Sequence, residues 1–106
     1  MKTYRLHDMV GGWFVGDFTP TALGSAGCEV AYKRYRAGIG EVAHVHRIAT
    51  EVTAIISGRV RMNAVDYEAG TIVVIGPGEA TDFRALEDTV TVVVKIPSLR
   101  HDKYPV

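Results

Sequence analysis

The most informative part of this chain of 106 residues is the stretch Gly38–Gly58, GIGEVAHVHRIATEVTAIISG. Two segments inside it, Val42–His46 and Glu51–Ile56, are rich in β-branched residues and alternate in polarity, which is typical of β-strands. The residues between them, Arg47–Thr50, predict a short connection. The stretch therefore predicts two short neighbouring strands bounded by glycines.

The same pattern of short alternating strands separated by glycines continues on both sides of this stretch. The further candidate strands are Thr3–Leu6, Trp13–Phe18, Glu29–Arg36, Arg59–Ala64, Thr71–Ile75, Thr81–Arg84 and Val90–Ile96. Short strands at a spacing of roughly 8–12 residues are typical of a sandwich or a barrel. No window predicts a long amphipathic helix, although Thr21–Gly27 has room for one helical turn. We therefore predict an all-β fold of about nine short strands, in a single domain over residues 1–106.

The polarity of individual strands predicts how they are arranged. In Val90–Ile96, the even-numbered residues are all aliphatic, whereas Thr91 and Lys95 lie on the other face. Strands with one apolar and one polar face are typical of an antiparallel sheet whose inner face is covered. Ile72–Ile75 is apolar on both faces, so its outer side should be covered as well, and a second subunit is one candidate.

Composition and charge limit the classes of function. The 12 basic and 12 acidic side chains give no net charge, which argues against a nucleic-acid partner and favours association between copies. Apolar residues make up 47% of the chain, as in ordinary globular proteins. A single cysteine, Cys28, and the absence of a signal segment predict a cytoplasmic location. No apolar run approaches the roughly 20 residues of a membrane span.

Two histidines and a glutamate form the candidate chemical site. His44 and His46 lie one residue apart in a predicted strand, so their side chains point the same way and can converge on one metal ion. If the chain turns back after His46, Glu51 can face the same interior. Two imidazoles and one carboxylate suit iron(II) and accommodate manganese, nickel or zinc.

These residues, together with the glycines around them, resemble the first sequence motif of the cupins. Gly38, His44, His46, Glu51 and Gly58 fit the pattern G-x5-H-x-H-x4-E-x6-G at every position. The resemblance extends over most of the chain and implies a small jelly-roll β-barrel, often dimeric, with a metal ion in its interior. His44, His46 and Glu51 would be the metal ligands.

The second cupin motif, G-x5-P-x-G-x2-H-x3-N, is matched only in part by GTIVVIGPGEATDFRA. Gly70 and Gly78 fit, whereas Gly76 occupies the place of the proline. Thr81 occupies the place of the histidine that is normally the fourth ligand, and Ala85 that of the asparagine. The site expected from the resemblance therefore has three protein ligands and leaves positions for water or substrate.

The neighbours of Thr81 are candidates to replace the missing ligand. Alternation predicts that Phe83 points inward and Asp82 outward, and Glu79 in the preceding turn is the remaining candidate. In the basic run Lys33–Arg36 the side chains alternate in direction, which predicts a solvated face. The alternative is that Arg34 or Tyr35 enters the interior and holds an anionic group.

The resemblance implies a small-molecule ligand, such as a carbohydrate or an organic acid, inside the barrel of a homodimer. The ion would serve as a Lewis acid or as an oxygen-binding centre. This fold occurs in isomerases, epimerases, lyases and dioxygenases, so the fold alone does not identify the reaction. The alternative is a non-catalytic binding or sensing module, with or without metal. Trp13 and Phe14 are expected to pack on the barrel or at a subunit contact.

Overall fold

The computed structural model describes all 106 residues and consists almost entirely of β-strands. The strands are β1 (Trp13–Gly16), β2 (Leu23–Gly24), β3 (Glu29–Tyr35), β4 (Gly40–His46), β5 (Thr50–Ser57), β6 (Arg59–Met62), β7 (Val65–Glu68), β8 (Ile72–Ile75), β9 (Ala80–Ala85), β10 (Thr89–Ile96) and β11 (Lys103–Pro105). Two short 3-10 turns, Leu6–Asp8 and Val10–Gly12, precede β1. Neither turn has the length and apolar character needed to span a bilayer. The predicted all-β fold is confirmed.

The strands form two sheets with the orders β2-β1-β3-β10-β5-β8 and β11-β4-β9-β6-β7. Neighbouring strands are antiparallel, except that β1 and β2 are parallel. From β3 onward the chain moves back and forth between the sheets, as in a jelly roll. The turn Arg47–Ala49 carries it from β4 in the second sheet to β5 in the first. This crossing brings the candidate site together.

The inner face of the first sheet is more polar than its outer face. On β10, Thr91 and Val93 point inward and are buried, whereas Val90, Val92 and Val94 face outward and are half-buried. The register places Thr91 opposite Lys33 on β3 and Lys95 opposite Glu51 on β5. Part of the barrel interior is therefore lined by charged and hydroxyl groups.

An apolar core fills the rest of the interior. Its buried members come from both sheets and are Ile55, Val60, Met62, Ile75 and Phe83. Tyr35 packs against the ring of Phe83 with the ring centroids 4.6 Å apart. The alternation in β6 predicts the common face of Val60 and Met62, and both are buried. Because this core joins the sheets, it supports the polar part of the interior from one side.

Two elements differ from the predicted strands. Residues Thr3–Arg5 form no strand and lead into the 3-10 turn that starts at Leu6. Leu23 and Gly24 form a two-residue strand beside β1, in the segment Thr21–Gly27 that has room for one helical turn. Leu23 and Gly24 lie at the edge of the first sheet, where pairing with β1 decides their conformation rather than their own polarity pattern.

Special backbone geometry fixes two turns. Asn63 and Ala64 have positive φ angles of 49° and 65° and form the hairpin between β6 and β7. The predicted strand Arg59–Ala64 therefore ends at Met62. Gly58 has a φ of +87°, and a Cβ atom there would collide with the carbonyl oxygen of Asp88. Only glycine fits this position.

The outer face of the first sheet is apolar. Val30, Val94, Val52 and Val74 lie side by side across β3, β10, β5 and β8. On the edge strand β8, Val74 is 61% exposed and Ile72 is 65% exposed. The expectation that β8 is apolar on both faces is confirmed, and its outer face is open in the single chain.

Candidate metal centre

The side chains of His44, His46 and Glu51 meet inside the barrel. The two histidines share the inward face of β4 and are buried, whereas Val45 between them is half-buried on the opposite face. The turn Arg47–Ala49 then places Glu51 near the start of β5. One ligand atom from each of the three residues lies within 4.8 Å of the other two. The structure thus brings together the three residues that the sequence singles out.

Hydrogen bonds fix the tautomer of both histidines. Nδ1 of His44 lies 3.0 Å from the carbonyl oxygen of Val42, and Nδ1 of His46 lies 3.0 Å from that of Asp102. Because a carbonyl oxygen only accepts, Nδ1 carries the proton in each ring and Nε2 keeps a free electron pair. Hydrogen-bonded Nδ1 with free Nε2 is the arrangement that metal-binding histidines adopt.

The Nε2 atom of His46 is buried and has no hydrogen-bond partner. It lies 3.7 Å from Oε1 of Glu51, a separation too long for a direct hydrogen bond. Burial, and then the ammonium of Lys95, lower the pKa of His46, and the Asp102 carbonyl and the Glu51 carboxylate oppose this only in part. The ring is therefore neutral at pH 7, which is the form that binds metal. A divalent cation fits this donor set.

The carboxylate of Glu51 uses its two oxygens differently. Oε2 accepts a hydrogen bond of 3.2 Å from the hydroxyl of Thr53, while Oε1 faces His46. Thr53 lies two residues along β5, on the same inward face, and is buried. The hydroxyl thus holds the carboxylate in place and leaves one oxygen directed toward the imidazoles.

Thr81 stands at the position of the missing fourth ligand, and the residues after it on β9 point in the directions that the alternation of the strand predicts. Thr81 is buried opposite His44 on the neighbouring strand, but its hydroxyl donates to the carbonyl oxygen of Asp82. Phe83 points inward, and the side chain of Asp82 is exposed and accepts a hydrogen bond from the Asn63 amide. These orientations of Phe83 and Asp82 agree with the sequence prediction.

Glu79, the other candidate for the fourth ligand, is not part of the site. Its carboxylate lies in the turn before β9 and accepts a hydrogen bond from the backbone amide of Gly76. The residue is exposed. Glu79 therefore does not replace the missing ligand, because its own turn already uses the carboxylate.

Asp102 supports the site from the segment that precedes β11. Its side chain accepts hydrogen bonds from the backbone amides of Arg47, Ile48 and Ala49. Its carbonyl oxygen accepts a hydrogen bond from Nδ1–H of His46. Asp102 is only 6% exposed. A single residue thus fixes both the turn between the ligands and the ring of His46. Nothing in the sequence of this segment shows which part of the chain it contacts.

A cavity of about 250 Å³ lies next to the triad. His44, Glu51 and Thr81 line it on one side, and Met62 and Phe83 of the apolar core form another wall. The remaining lining residues include Trp13, Lys33, Tyr35, Thr91, Lys95 and Lys103. The cavity therefore joins the candidate metal ligands to a group of cations and an aromatic ring.

The basic run on β3 contributes Lys33 as well as Tyr35 to the cavity. Lys33 lines the cavity, whereas Arg34 is exposed on the outer face, where its guanidinium lies over the ring of Tyr32. Tyr35 lines the cavity as the alternative proposed, and burial raises the pKa of its hydroxyl, with Glu41 and Glu51 adding to the effect. The sequence predicts that the side chains of this run alternate in direction, but it does not predict which of the two faces points into the barrel.

No protein-family model matches the sequence, and no curated protein matches it significantly. Solved structures do match its fold. A protein with a double-stranded β-helix domain from Klebsiella pneumoniae is 22% identical with a TM-score of 0.65, and the match covers 70% of this chain and 66% of that one. A cupin from Bacteroides fragilis is 23% identical with a TM-score of 0.59, covering 70% of each chain.

A larger structure matches more of the chain. The DMSP lyase DddQ from Ruegeria pomeroyi is 16% identical with a TM-score of 0.72, and the match covers 89% of this chain but 49% of the lyase. The chain thus spans about two thirds of the first match and half of the lyase. Identities this low establish a common fold, and they agree with the two sheets described above. The chain has the cupin fold, the double-stranded β-helix.

Proposed function

We propose that this cupin-fold chain binds one divalent transition metal ion through Nε2 of His44, Nε2 of His46 and the carboxylate of Glu51, and that it acts on a small polar molecule in the adjacent cavity. Iron, manganese, nickel and zinc all suit two imidazoles and one carboxylate. The ion, when bound, would supply a Lewis acid for an oxygen of the substrate.

The observation that carries this proposal is the buried Nε2 atom of His46, which has no partner although its ring is fixed by Asp102. Leaving a buried polar atom unpaired costs about 1–3 kcal/mol. The neighbouring groups, His44 and Glu51, are themselves metal-binding types held by their own hydrogen bonds. A cation shared by the three residues removes the unpaired group and balances the carboxylate.

The chain's own residues prepare the site. Backbone carbonyl oxygens accept a hydrogen bond from Nδ1–H of each histidine, and the hydroxyl of Thr53 orients Glu51. The barrel wall encloses the cavity, so a bound molecule exchanges water for fixed polar groups. Because Thr81 is not a ligand, the metal ion would have no fourth protein ligand. This favours a substrate that binds the ion through two of its own oxygens. The DMSP lyase from Ruegeria pomeroyi is an example of an enzyme with this fold.

Metal analysis of protein produced without a histidine tag tests the proposal. We expect a divalent transition metal in the purified protein, and we expect chelated protein to take up added Zn²⁺ at one ion per chain. His46→Ala should weaken zinc binding by at least about a hundredfold, since even groups that only hydrogen-bond to a ligand contribute roughly 10–100-fold. His7→Ala is the matched control, because His7 is exposed and far from the triad in sequence.

Two results would contradict the metal proposal. One is a chelated wild-type protein that takes up no zinc, and the other is a His46→Ala variant with unchanged affinity. If a small molecule still bound in the cavity of protein that takes up no metal, the alternative function would hold, namely a metal-free binding or sensing module.

We also propose that the chain works as a homodimer through the outer face of its first sheet. The row of valines across β3, β10, β5 and β8 leaves an apolar surface with an edge strand beside it. Ile72 and Val74 are mostly exposed there. A second copy is the occupant that suits this surface, because the chain has no net charge to keep copies apart.

A further inference from the structure

Lys33 is a cation without a counter-ion inside the cavity. The other two lysines of the lining are paired, since Lys95 lies 3.5 Å from Glu29 and Lys103 lies 3.7 Å from Glu41. No carboxylate lies within ion-pair distance of Lys33. Burial lowers the pKa of its ammonium, Lys95 and Lys103 add to the effect, and Glu41 opposes it. A half-buried charge in this position is stabilised by any anion that reaches it.

A second unpaired group lies next to Lys33. Thr91 faces Lys33 across the β3–β10 pair, lines the cavity and is 1% exposed. Its hydroxyl has no hydrogen-bond partner. The chain contains only two buried side-chain polar atoms of this kind, Nε2 of His46 and Oγ1 of Thr91. The proposed metal accounts for the first but leaves the second unexplained.

The charge and size of the cavity indicate which molecule would pair these groups. Lys95 and Lys103 are each balanced by a glutamate, so the charged lining residues outside these pairs are Lys33 and Glu51. The proposed metal ion balances Glu51, which leaves Lys33 as the charge without a partner. A volume of about 250 Å³ lies below the range of pockets for drug-sized ligands. The cavity therefore fits a small anion, and an ammonium beside a hydroxyl provides one donor for each oxygen of a carboxylate.

We propose that Lys33 and Thr91 form a carboxylate subsite, and that the molecule bound in the cavity is a small organic acid rather than a neutral carbohydrate. The subsite rests on the proposed function, because it names the class of molecule taken by the same cavity. Lys33 and Thr91 bind the carboxylate group, and the rest of the acid extends toward His44 and Glu51 along the cavity.

Titration of the 15N-labelled protein with propionate, followed by NMR at constant ionic strength, tests the subsite. We expect propionate to shift the signals of Lys33 and Thr91, and the neutral isostere propionamide to bind much more weakly. Lys33→Met and Thr91→Val should each raise the dissociation constant on the order of tenfold, as expected for a lost hydrogen bond to a charged group. Circular dichroism verifies that both variants are folded.

Arg34→Met is the matched control, because it removes a positive charge from the next residue of the same strand on the outer face. It should leave the affinity for propionate unchanged. The subsite is overturned if Lys33→Met or Thr91→Val binds propionate as the wild type does, if Arg34→Met weakens binding as much as Lys33→Met, or if propionamide binds as well as propionate. Running the titration on both chelated and zinc-loaded protein separates this result from the metal proposal, since the subsite contains no metal ligand.

Discussion

His44 and His46 present the same ring nitrogen to the barrel interior because each donates its other nitrogen to a backbone carbonyl. Backbone carbonyls are more rigid acceptors than side chains, so the two rings are held by the fold itself. The rings are nearly perpendicular, with an interplanar angle of 83° and centroids 5.2 Å apart. What the site lacks is a fourth protein ligand, since Thr81 has turned its hydroxyl to Asp82.

Thr81→His is expected to strengthen metal binding. Thr81 lies opposite His44 and lines the cavity, so an imidazole at this position has space toward the triad. A fourth ligand should lower the dissociation constant for Zn²⁺ on the order of tenfold, or about 1.4 kcal/mol. Competition with a coloured zinc chelator measures the change.

Asp82→His provides the control, since it adds the same imidazole one residue away on the exposed face of β9. Its zinc affinity should stay at the wild-type value. An unchanged affinity in Thr81→His, or an equal gain in Asp82→His, would show that position 81 does not adjoin the ligands.

The triad could be predicted from sequence because all three residues lie in one short stretch and two share a strand face. Lys33 and Thr91 could not be predicted in the same way. Both lie on strands whose alternation is clear, but in β10 the face with hydroxyls and a lysine is the buried one. A polar interior reverses the usual relation between polarity and burial.

The segment before β11 stabilises the turn between β4 and β5. β11 itself pairs with β4 in a register that places Lys103 opposite His46. Asp102, just before it, accepts hydrogen bonds from three backbone amides of the turn. Arg47 adds a cation–π contact, with its guanidinium 4.0 Å from the centroid of the Tyr104 ring. The end of the chain thus stabilises the connection that joins the two sheets at the site.

Asp102→Asn should lower both stability and metal affinity. An amide side chain cannot accept as the carboxylate does from three amides, so we expect a loss of about 1–3 kcal/mol in the free energy of unfolding. Zinc affinity should fall by roughly tenfold or more, because the support of His46 is disturbed. Urea denaturation and zinc titration measure the two effects. Asp66→Asn, at an exposed carboxylate paired with Arg61, should change neither.

The stabilisation by Asp102 should also depend on pH. Burial opposes ionisation of this carboxyl, but the amides of Ala49, Ile48 and Arg47 outweigh it and hold its pKa below the usual 3.8. The unfolded chain therefore binds the proton at a higher pH than the folded chain. The stabilisation that ionised Asp102 gives the folded chain is complete above about pH 4. It is lost as the pH falls through the pKa of Asp102 in the folded chain. Asp102→Asn should remove this part of the acid sensitivity, and an unchanged pH profile would contradict the assignment.

The long strands were predictable because several alternating residues support each of them. The short strands β2 and β11 were not, since two or three residues carry no periodicity and are held by β1 and β4. The hairpin at Asn63 and Ala64 was missed for a related reason. Its two residues adopt positive φ without a glycine, so the usual turn signal is absent.

The barrel is polar inside, next to the triad, and apolar outside, on the outer face of its first sheet. The interior next to the triad carries lysines, glutamates and threonines, whereas the outer face of the first sheet carries valines and isoleucines. An exposed apolar face beside an edge strand favours association. The sequence predicts the apolar strand Ile72–Ile75, but only the register shows that its outer residues continue into a row across four strands.

Val74→Lys is expected to dissociate the proposed homodimer. In a two-fold dimer the substitution occurs twice, so two ammonium groups enter one apolar surface. The dimer dissociation constant should rise on the order of a hundredfold. Light scattering coupled to size exclusion measures the mass. Val65→Lys on β7 of the other sheet should leave the dimer intact, and a wild-type protein that is monomeric at high concentration would defeat the proposal.

Trp13 is the sole indole of the chain, and it lines the cavity with the ammonium groups of Lys33 and Lys95 at 5.2 and 4.8 Å from its ring centroid. Because indole emission responds to nearby charge, we expect it to change when an acid pairs with the ammonium of Lys33. Occupancy of the proposed subsite can therefore be followed through the fluorescence of Trp13, without any label.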